Sequence, residues 1–186
     1  MGHRIEPLSQ ATLPDLLRFF EEVAFVDHPA WASCYCFFPH APHETEKWQE
    51  RTGAQNRAGT CARVAAGTMG GLLAYDGAEV VGWCNAGDRA WVTMQGKFEA
   101  SSRKMGAISC FVVAPDRRGQ GIAAELLAAA CRKLKAEGCA VVEAYPYPDA
   151  KSAAEAHTGP LPMYEKAGFK EHSRDDDGSI VVRRDL

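Results

Sequence analysis

Two arginines and two glycines stand together in the stretch from Arg117 to Gly121, between an apolar run and a long alanine-rich segment. Glycine lets a backbone approach an anion closely because no Cβ intervenes. A helix beginning directly after them would direct unpaired N–H groups and the positive end of its dipole at the same point. The stretch predicts a phosphate-binding site, although a helix start on a solvent-facing loop would use the same residues.

Two common phosphate-binding patterns fit this stretch poorly. The GxxxxGK[ST] pattern of P-loop proteins is absent. The GxGxxG pattern of dinucleotide-binding domains fits incompletely, because its third small position is Ala124. The acidic residue that such a domain places at the end of its second strand is also missing, since Glu143 lies inside that strand. A nucleotide-binding module therefore stays open as an alternative.

The segments around this stretch have the periodicity needed to position it. Residues 107–113 are predicted to form a buried strand, and residues 122–136 a helix with one apolar face that ends at Gly138. A second apolar run over 139–145 predicts another strand. A strand, a helix and a strand in this order predict a βαβ unit over 107–145 with parallel strands.

The rest of the chain predicts further helices and strands of a single α/β domain spanning 1–186. Thr12 and Asp15 suggest a capping box before a helix that continues to Ala24, and a polar helix or two is expected over 44–66. Asp76-Gly77 joins two apolar runs as a hairpin turn would. Residues 87–105 are expected to be loop, with or without a short helix. Residues 163–167 are expected to end a short helix before Gly168, and the tail to form two strands.

Two segments resemble the GNAT superfamily of N-acetyltransferases. Arg118-Gly119-Gln120-Gly121-Ile122-Ala123 matches that family's R/Q-x-x-G-x-G/A pattern, and MYEKAGF (163–169) is similar to its Y-x-K-x-G-F segment. The likeness covers residues 72–184. It implies a mixed, splayed central β-sheet flanked by helices, with the N-terminal helices of 8–66 on the acceptor side.

A wider set of segments resembles one bacterial branch of that family: CYCFF, GWCNAG, SCFVV, EAYP and TGPLPMYEKAGF. The resemblance implies acetyl-CoA (coenzyme A) as cosubstrate and direct acetyl transfer to an amine of a small molecule or peptide, without naming the acceptor. A non-catalytic acyl-CoA sensor remains an alternative. The implied donor-binding residues are Phe111, Val112, Val113, Arg118, Gly119, Gln120, Gly121, Ile122 and Ala123.

Two residues are candidates for proton transfer. Tyr164 corresponds to the tyrosine that protonates the thiolate in many family members, and its alternative role is to pack beside Phe169. Glu143 lies on a central strand, where burial would raise the pKa of its carboxyl group and suit it to act as the base. Its alternative is a structural carboxylate paired with an arginine. Backbone N–H groups near Phe111 or Val112 are expected to stabilise the oxyanion.

The cysteines and aromatic residues invite other interpretations. Cys34-x-Cys36, Cys84 and Cys110 lack the paired spacing of a zinc site, so no metal is expected and they are interpreted as small buried hydrophobes. Direct transfer makes a covalent role for Cys110 unexpected. A set of aromatic side chains is expected either to line an acceptor pocket or to pack in the core: Trp31, Phe37, Phe38, Trp83 and Trp91.

The composition of the chain limits the classes of partner that it is expected to bind. A formal net charge of −3 argues against bulk nucleic-acid binding. No apolar run is long enough to span a membrane, so no membrane partner is expected. Seven irregularly spaced cysteines, with no export signal at the N-terminus, favour free thiols and a cytoplasmic location. A homodimer is left open.

Overall fold

The computed structural model describes residues 2–94, 103–147, 155–176 and 178–186. They form one seven-stranded sheet in the order β1-β2-β3-β4-β5-β7-β6. Its strands are β1 (Arg4–Pro7), β2 (Gly71–Asp76), β3 (Glu79–Asp88), β4 (Met105–Val113), β5 (Val141–Ala144), β6 (Lys170–Arg174) and β7 (Ile180–Asp185). The helices flanking it are α1 (Leu13–Arg18), α2 (Gly53–Ala65), α3 (Ile122–Ala136) and α4 (Leu161–Lys166). The predicted α/β class with a mixed sheet is confirmed.

The pairing of β4 with β5 is parallel, and all other neighbouring strands are antiparallel. These two strands are joined through α3, as the predicted βαβ unit requires. The helix covers the predicted residues and ends before Gly138, which has a φ of +84°. Gly77, with a φ of +61°, turns the predicted hairpin between β2 and β3.

One face of the sheet is covered by α3, which lies unusually close to the strands. A Cβ on Gly82 of β3 would lie 2.7 Å from Ile122 Cγ2, and one on Gly106 of β4 would lie 2.8 Å from Leu134 Cδ1. Both glycines are therefore needed for the approach of the helix. The position of α3 fixes where its N-terminus meets the end of β4.

The opposite face is covered by the N-terminal segment, whose helices are short and irregular. After α1 the chain forms a π-helical turn over Phe19–Val23, where a continuous α-helix to Ala24 was expected. Three 3₁₀ helices follow, at Pro29–Cys34, Phe38–His40 and Trp48–Glu50, before α2 begins. The polar region expected to be helical over 44–66 is thus only partly so.

The segment 87–105, which was expected to be loop, contains regular structure at both of its ends. β3 extends through Asp88, a 3₁₀ helix covers Arg89–Trp91, and β4 begins at Met105. Residues 95–102 of this prediction lie outside the described part of the chain. Within that part, no helix combines the length and apolar character needed to cross a bilayer.

Candidate active site

The N-terminus of α3 presents an open backbone surface, here called the cradle and formed by residues 118–123. Gly119 and Gly121 have φ angles of +78° and +87°, in the left-handed region that favours glycine. A Cβ built on either residue would have no atom within 4 Å. Gly121 directly precedes the helix, so the unpaired N–H groups of the first turn face the same opening. This geometry suits a phosphate group.

Arg118 lies at the edge of the cradle and is held by two partners. Its Nε donates to the carbonyl oxygen of Val113 at 3.3 Å, and its Nη1 and Nη2 donate to the Asp27 carboxylate at 2.5 and 3.4 Å. The hydrogen bond from Arg118 lowers the pKa of Asp27. Arg118 thereby connects the cradle with both the end of β4 and the N-terminal segment.

Two neighbouring side chains are directed elsewhere. Arg117 pairs with Asp76 at 2.9 Å, on the β2–β3 hairpin. The Gln120 amide donates to the carbonyl oxygen of Asp116 at 3.1 Å. The positive charge at the cradle therefore comes from backbone N–H groups and the helix dipole, together with Arg118, whose charge is shared with Asp27.

β4 and β5 separate halfway along β4. Their pairing covers only Met105–Ile108 of β4 against Val141–Ala144 of β5. From Cys110 to Val113, β4 is paired with β3 on one side and is not paired with β5 on the other, and Ser109 is paired with neither strand. The sheet is thus splayed, as the resemblance implies, and the opening runs along β4 to the cradle.

The direction of the β4 amides follows from their hydrogen bonds. Ala114 N donates to Val81 O of β3 at 3.0 Å. Because successive amides of a strand point to opposite sides, Val112 is directed at β3, whereas Phe111 and Val113 are directed at the opening. The carbonyl oxygen of Val113, which accepts from Arg118, lies on that open side as well. Of the two expected oxyanion donors, this favours Phe111 over Val112.

Tyr164 lies under the opening, completely buried. Its ring packs against Phe111 and Phe169, with centroid distances of 6.3 and 5.2 Å. Its hydroxyl donates to the carbonyl oxygen of Thr158 at 2.6 Å. Burial raises the pKa of Tyr164 well above its usual value, so the phenol stays protonated. The packing against Phe169 is present, and the contact with Phe111 places the Tyr164 ring beside the splayed strand.

Glu143 is buried among three hydrogen-bond donors. Its Oε1 accepts from Arg89 Nε at 2.8 Å and from the Tyr145 hydroxyl at 2.7 Å, and its Oε2 accepts from Arg183 Nε at 2.8 Å and Nη2 at 2.7 Å. Burial by itself raises the pKa of Glu143, but these donors outweigh it and lower the pKa. The expected rise in pKa is therefore wrong, because both carboxylate oxygens carry charge-assisted hydrogen bonds.

A chain of polar groups runs beneath β3 and β4 on the N-terminal face. Asn85 Nδ2 lies 3.2 Å from Cys36 Sγ and 3.0 Å from His40 Nε2, and His40 Nδ1 lies 2.8 Å from the carbonyl oxygen of Trp91. Burial lowers the pKa of His40 to about 4, so the ring is neutral at pH 7. In that state His40 donates through Nδ1 and accepts through Nε2.

Cys110 and Cys84 are protonated thiols, which are poor nucleophiles. Its hydrogen bond with Cys36, together with burial, raises the pKa of Cys110 well above its usual value. Burial likewise raises the pKa of Cys84 well above its usual value. All seven cysteines are free. No group of three or more His, Cys, Asp or Glu side chains in the described ranges is placed to hold a metal ion.

The five aromatic residues expected either to line an acceptor pocket or to pack in the core have different neighbours. Trp83 is fully buried in the core of the N-terminal face. Trp31 stacks on His28 with centroids 4.3 Å apart, while Phe38 packs against Trp48 at 5.0 Å. Phe37 lies under the guanidinium group of Arg51. Trp91 contributes its carbonyl oxygen to His40. Core packing accounts for Trp83 and Phe37, whereas Trp31 is exposed and Phe38 and Trp91 are half-buried.

Several residues of the site carry no local signal in the sequence. Asp27 contacts Arg118 across 91 residues, and Arg89 contacts Glu143 across 54. Both are ordinary charged residues in irregular segments, with no spacing that marks them. Only the expectation that Glu143 pairs with an arginine anticipated such a contact.

Comparison with known proteins agrees with this geometry. The model of the acetyltransferase (GNAT) family matches residues 26–169, whereas no curated protein matches the chain.

Among solved structures, the chain is similar to ribosomal-protein-alanine N-acetyltransferase from Brucella melitensis, with 20% identity, coverage of 98% and 99% of the two chains and a TM-score of 0.58. It is similar to paia N-acetyltransferase from Thermoplasma acidophilum in complex with coenzyme A, with 16% identity, coverage of 100% of both chains and a TM-score of 0.58. It is also similar to yncA from Salmonella typhimurium with its cofactor acetyl-CoA, with 16% identity, coverage of 100% and 95% and a TM-score of 0.60. The TM-scores and coverage show a shared fold with these structures. The family match over residues 26–169 shows that the chain belongs to the GNAT family of acetyltransferases.

Proposed function

We propose that this protein transfers the acetyl group of acetyl-CoA directly to an amine of a small molecule or peptide. The observation that carries the proposal is the continuity between the cradle and the open edge of β4. Arg118 connects the two features, since it is the first residue of the cradle and its side chain donates to Val113 O on the open edge. An extended donor with an anionic group at one end and a thioester at the other fits this path. The family membership and the coenzyme A bound to similar structures support the same donor.

The donor residues take distinct roles in this proposal. The pyrophosphate lies on the backbone of Gly119, Gln120 and Gly121 and on the first N–H groups of α3, at Ile122 and Ala123. Arg118 adds a charge-assisted hydrogen bond. The pantetheine arm extends along Phe111–Val113, where open-side backbone groups provide hydrogen-bond partners for its amides. The thioester then lies near the point where β4 and β5 separate.

Acetyl transfer needs an unprotonated amine, stabilisation of the oxyanion and a proton for the departing thiolate. The amine nitrogen forms a bond to the carbonyl carbon while the π electrons move to oxygen. Collapse of the tetrahedral species breaks the carbon–sulfur bond and releases coenzyme A. The Phe111 N–H donates to the oxyanion, in the manner of backbone donors in other acyl-transfer enzymes.

The surroundings of Tyr164 support a role in proton transfer, whereas those of Glu143 do not. Tyr164 is a neutral phenol beside Phe111, and we assign it as the donor of the proton to the thiolate. To do so its hydroxyl must exchange the carbonyl oxygen of Thr158 for the sulfur. Glu143 has both oxygens occupied and a lowered pKa, so we assign it a positioning role for Arg89 and Arg183. Solvent takes the proton of the ammonium form before the attack and a second proton from the same nitrogen after it, and returns one proton to Tyr164.

The test begins with the unmodified protein. We expect coenzyme A and acetyl-CoA to raise the melting temperature, with NAD and ATP having little effect. Thiol release from acetyl-CoA is then measured over a panel of small amines, polyamines and peptides with free N-termini or lysines. Coenzyme A binding without thiol release on any member would indicate an acyl-CoA sensor. A preference for NAD or ATP would indicate a nucleotide-binding module.

We also place the protein in the cytoplasm. The support is that its seven cysteines are all free, as expected in a reducing compartment.

A further inference from the structure

Two buried side-chain hydroxyls have no hydrogen-bond partner among the described residues, Ser109 Oγ and Thr158 Oγ1, and a third buried polar atom, Trp83 Nε1, has only the thiol of Cys36 beside it. All three lie next to the splayed half of β4. Ser109 belongs to it, Trp83 is opposite Val112 in the register, and the 3₁₀ helix containing Thr158 packs on β4. An unpartnered buried polar group costs about 1–3 kcal/mol, so such groups are rare in folded proteins. Their concentration at this strand indicates that something other than the fold retains them.

Ser109 has the most specific position of the three. It is the first residue of β4 beyond the pairing with β5, which ends at Ile108. It is also the extra residue of a β-bulge, because Asn85 pairs with Cys110 and Ala86 with Ile108. Bulges redirect side chains and are enriched next to active sites. The side chain is completely buried.

We infer that Ser109 is a further catalytic residue, whose hydroxyl donates a hydrogen bond to the reacting thioester carbonyl. This inference rests on the proposed function. Ser109 and Phe111 are two residues apart on one strand, about 6.6 Å along the chain. A carbonyl oxygen held between the Phe111 N–H and the Ser109 hydroxyl would therefore have two donors from one strand segment. The thioester supplies the hydrogen-bond partner that the fold does not provide.

The hydroxyl keeps its proton throughout the reaction. As the amine attacks, negative charge moves to the carbonyl oxygen and both hydrogen bonds strengthen. When the carbon–sulfur bond breaks, the charge leaves with the thiolate and the bonds weaken again. No described titratable group hydrogen-bonds to Ser109, so nothing is positioned to activate it as a nucleophile.

The first test follows the carbonyl group itself and needs no acceptor. Acetyl-CoA labelled with ¹³C at the carbonyl is bound to the wild-type protein and to Ser109→Ala, and its stretching frequency is measured by difference infrared spectroscopy. The wild-type protein should lower the frequency more than the variant, since each hydrogen bond weakens the C=O bond. Calorimetry should show weaker acetyl-CoA binding by the variant and equal binding of coenzyme A, which lacks the carbonyl.

Stability and turnover separate this role from a structural one. Removing an unpartnered hydroxyl should leave the melting temperature of ligand-free Ser109→Ala equal to or above that of the wild type. Turnover with the best acceptor of the amine panel should fall roughly 100-fold, as when a donor to an oxyanion is lost. The matched control is Thr60→Val, because Thr60 is equally buried but its hydroxyl donates to Tyr35 O at 2.9 Å. That variant should melt earlier while retaining the wild-type carbonyl frequency and turnover.

Two results would overturn the assignment. One is an unchanged carbonyl frequency in Ser109→Ala with full acetyl-CoA binding. The other is a loss of affinity that is equal for acetyl-CoA and coenzyme A, which would place Ser109 against the pantetheine arm or in the fold. If the wild-type protein binds neither ligand, the proposed function fails, and that outcome is distinct from both.

Discussion

The two faces of the central sheet are stabilised by different chemistry. Against α3, the buried cluster consists of apolar side chains, with the Tyr164 ring among them. On the opposite face, buried polar groups bond to residues distant in the chain. Asn85 reaches back 45 residues to His40, Thr60 reaches back 25 residues to Tyr35, and Arg89 reaches forward 54 residues to Glu143.

This difference separates the two halves of the proposed site. The α3 face relies on non-directional burial of apolar surface, which tolerates exchange between side chains of similar volume. The N-terminal face relies on directional hydrogen bonds, where loss of one partner leaves the other buried and unsatisfied. We therefore expect substitutions on the first face to act through ligand contacts, and those on the second to act through stability and its pH dependence.

The largest effect is expected at the cradle, on the α3 side. Gly121→Asp should abolish coenzyme A binding, because a side chain and a negative charge would face the phosphates. The wild-type protein should gain about 2.7 kcal/mol of stability from coenzyme A at 100 times its dissociation constant, and the variant none. Isothermal calorimetry and ligand-dependent unfolding measure both quantities.

The control for Gly121→Asp is Gly138→Asp at the other end of α3. Gly138 also has a positive φ, +84°, and open space around a built Cβ, so the backbone strain is matched. Gly138→Asp should bind coenzyme A normally. Gly121→Asn adds the side chain without the charge and should retain more affinity than Gly121→Asp. Normal binding by a folded Gly121→Asp protein would remove the phosphate site from the cradle.

Tyr164→Phe tests whether the α3 face contributes a group that takes part in the reaction. Turnover should fall about 100-fold or more, because the thiolate loses its proton donor. Acetyl-CoA affinity should change little, since the ring still packs on Phe111. Loss of the bond to Thr158 O should also cost about 1–3 kcal/mol of stability, read from chemical unfolding. Turnover equal to wild type would leave Tyr164 as a packing residue, with water as the acid.

His40 tests the N-terminal face through the pH dependence of stability. In the unfolded chain it takes up a proton near pH 6.5, but in the folded protein only near pH 4. Its contribution to stability is therefore complete above pH 6.5 and is lost as the pH falls towards 4, by about 3 kcal/mol. Urea unfolding between pH 7 and 4 should show this loss. It should be absent in His40→Gln and present in His172→Gln, an exposed histidine on β6.

The sequence predicted the α3 half closely because the signals there are local. Helix periodicity, the stop at Gly138, the Asp76-Gly77 turn and the glycines of the cradle are each determined by neighbours a few residues away. α3 accordingly begins and ends where expected. The pKa of Glu143 could not be predicted from the sequence, because burial raises it and ion pairing lowers it. Only the identity of the hydrogen-bond partners determines the direction of the net shift.

The N-terminal half was predicted less well because distant contacts override local preference. Thr12 was expected to cap α1, but its hydroxyl donates to the carbonyl oxygen of Pro7 at 2.9 Å. Tyr35 and Cys36 adopt positive φ angles of 47° and 54°, which no local pattern indicates. Their carbonyl and thiol groups bond to Thr60 and Asn85. Such conformations persist only where the surrounding structure fixes them.

A smaller effect is expected where the two faces meet, at the Asp27–Arg118 pair. Asp27 competes with the phosphates for Arg118, so Asp27→Asn should tighten acetyl-CoA binding roughly threefold, a modest gain because exposed pairs are weak. Binding of acetyl-pantetheine, which lacks the pyrophosphate, should not change. Asp116→Asn removes the same charge nearby without touching Arg118 and serves as the control. Equal tightening in both variants would indicate general electrostatics instead of competition.

The smallest effect is expected at Cys110, which lies on the splayed strand β4 with its side chain on the N-terminal face. Its hydrogen bond with Cys36 and its burial keep the thiol protonated, so it is a poor nucleophile. Cys110→Ala should therefore remain active, and intact-mass measurement of the wild type with acetyl-CoA and no acceptor should show no acetyl adduct. Cys139→Ala, away from the opening, controls for loss of a thiol. A stoichiometric acetyl adduct on Cys110, or loss of turnover in Cys110→Ala but not in Cys139→Ala, would contradict direct transfer. Either result would indicate a covalent intermediate and would make the N-terminal face part of the reaction.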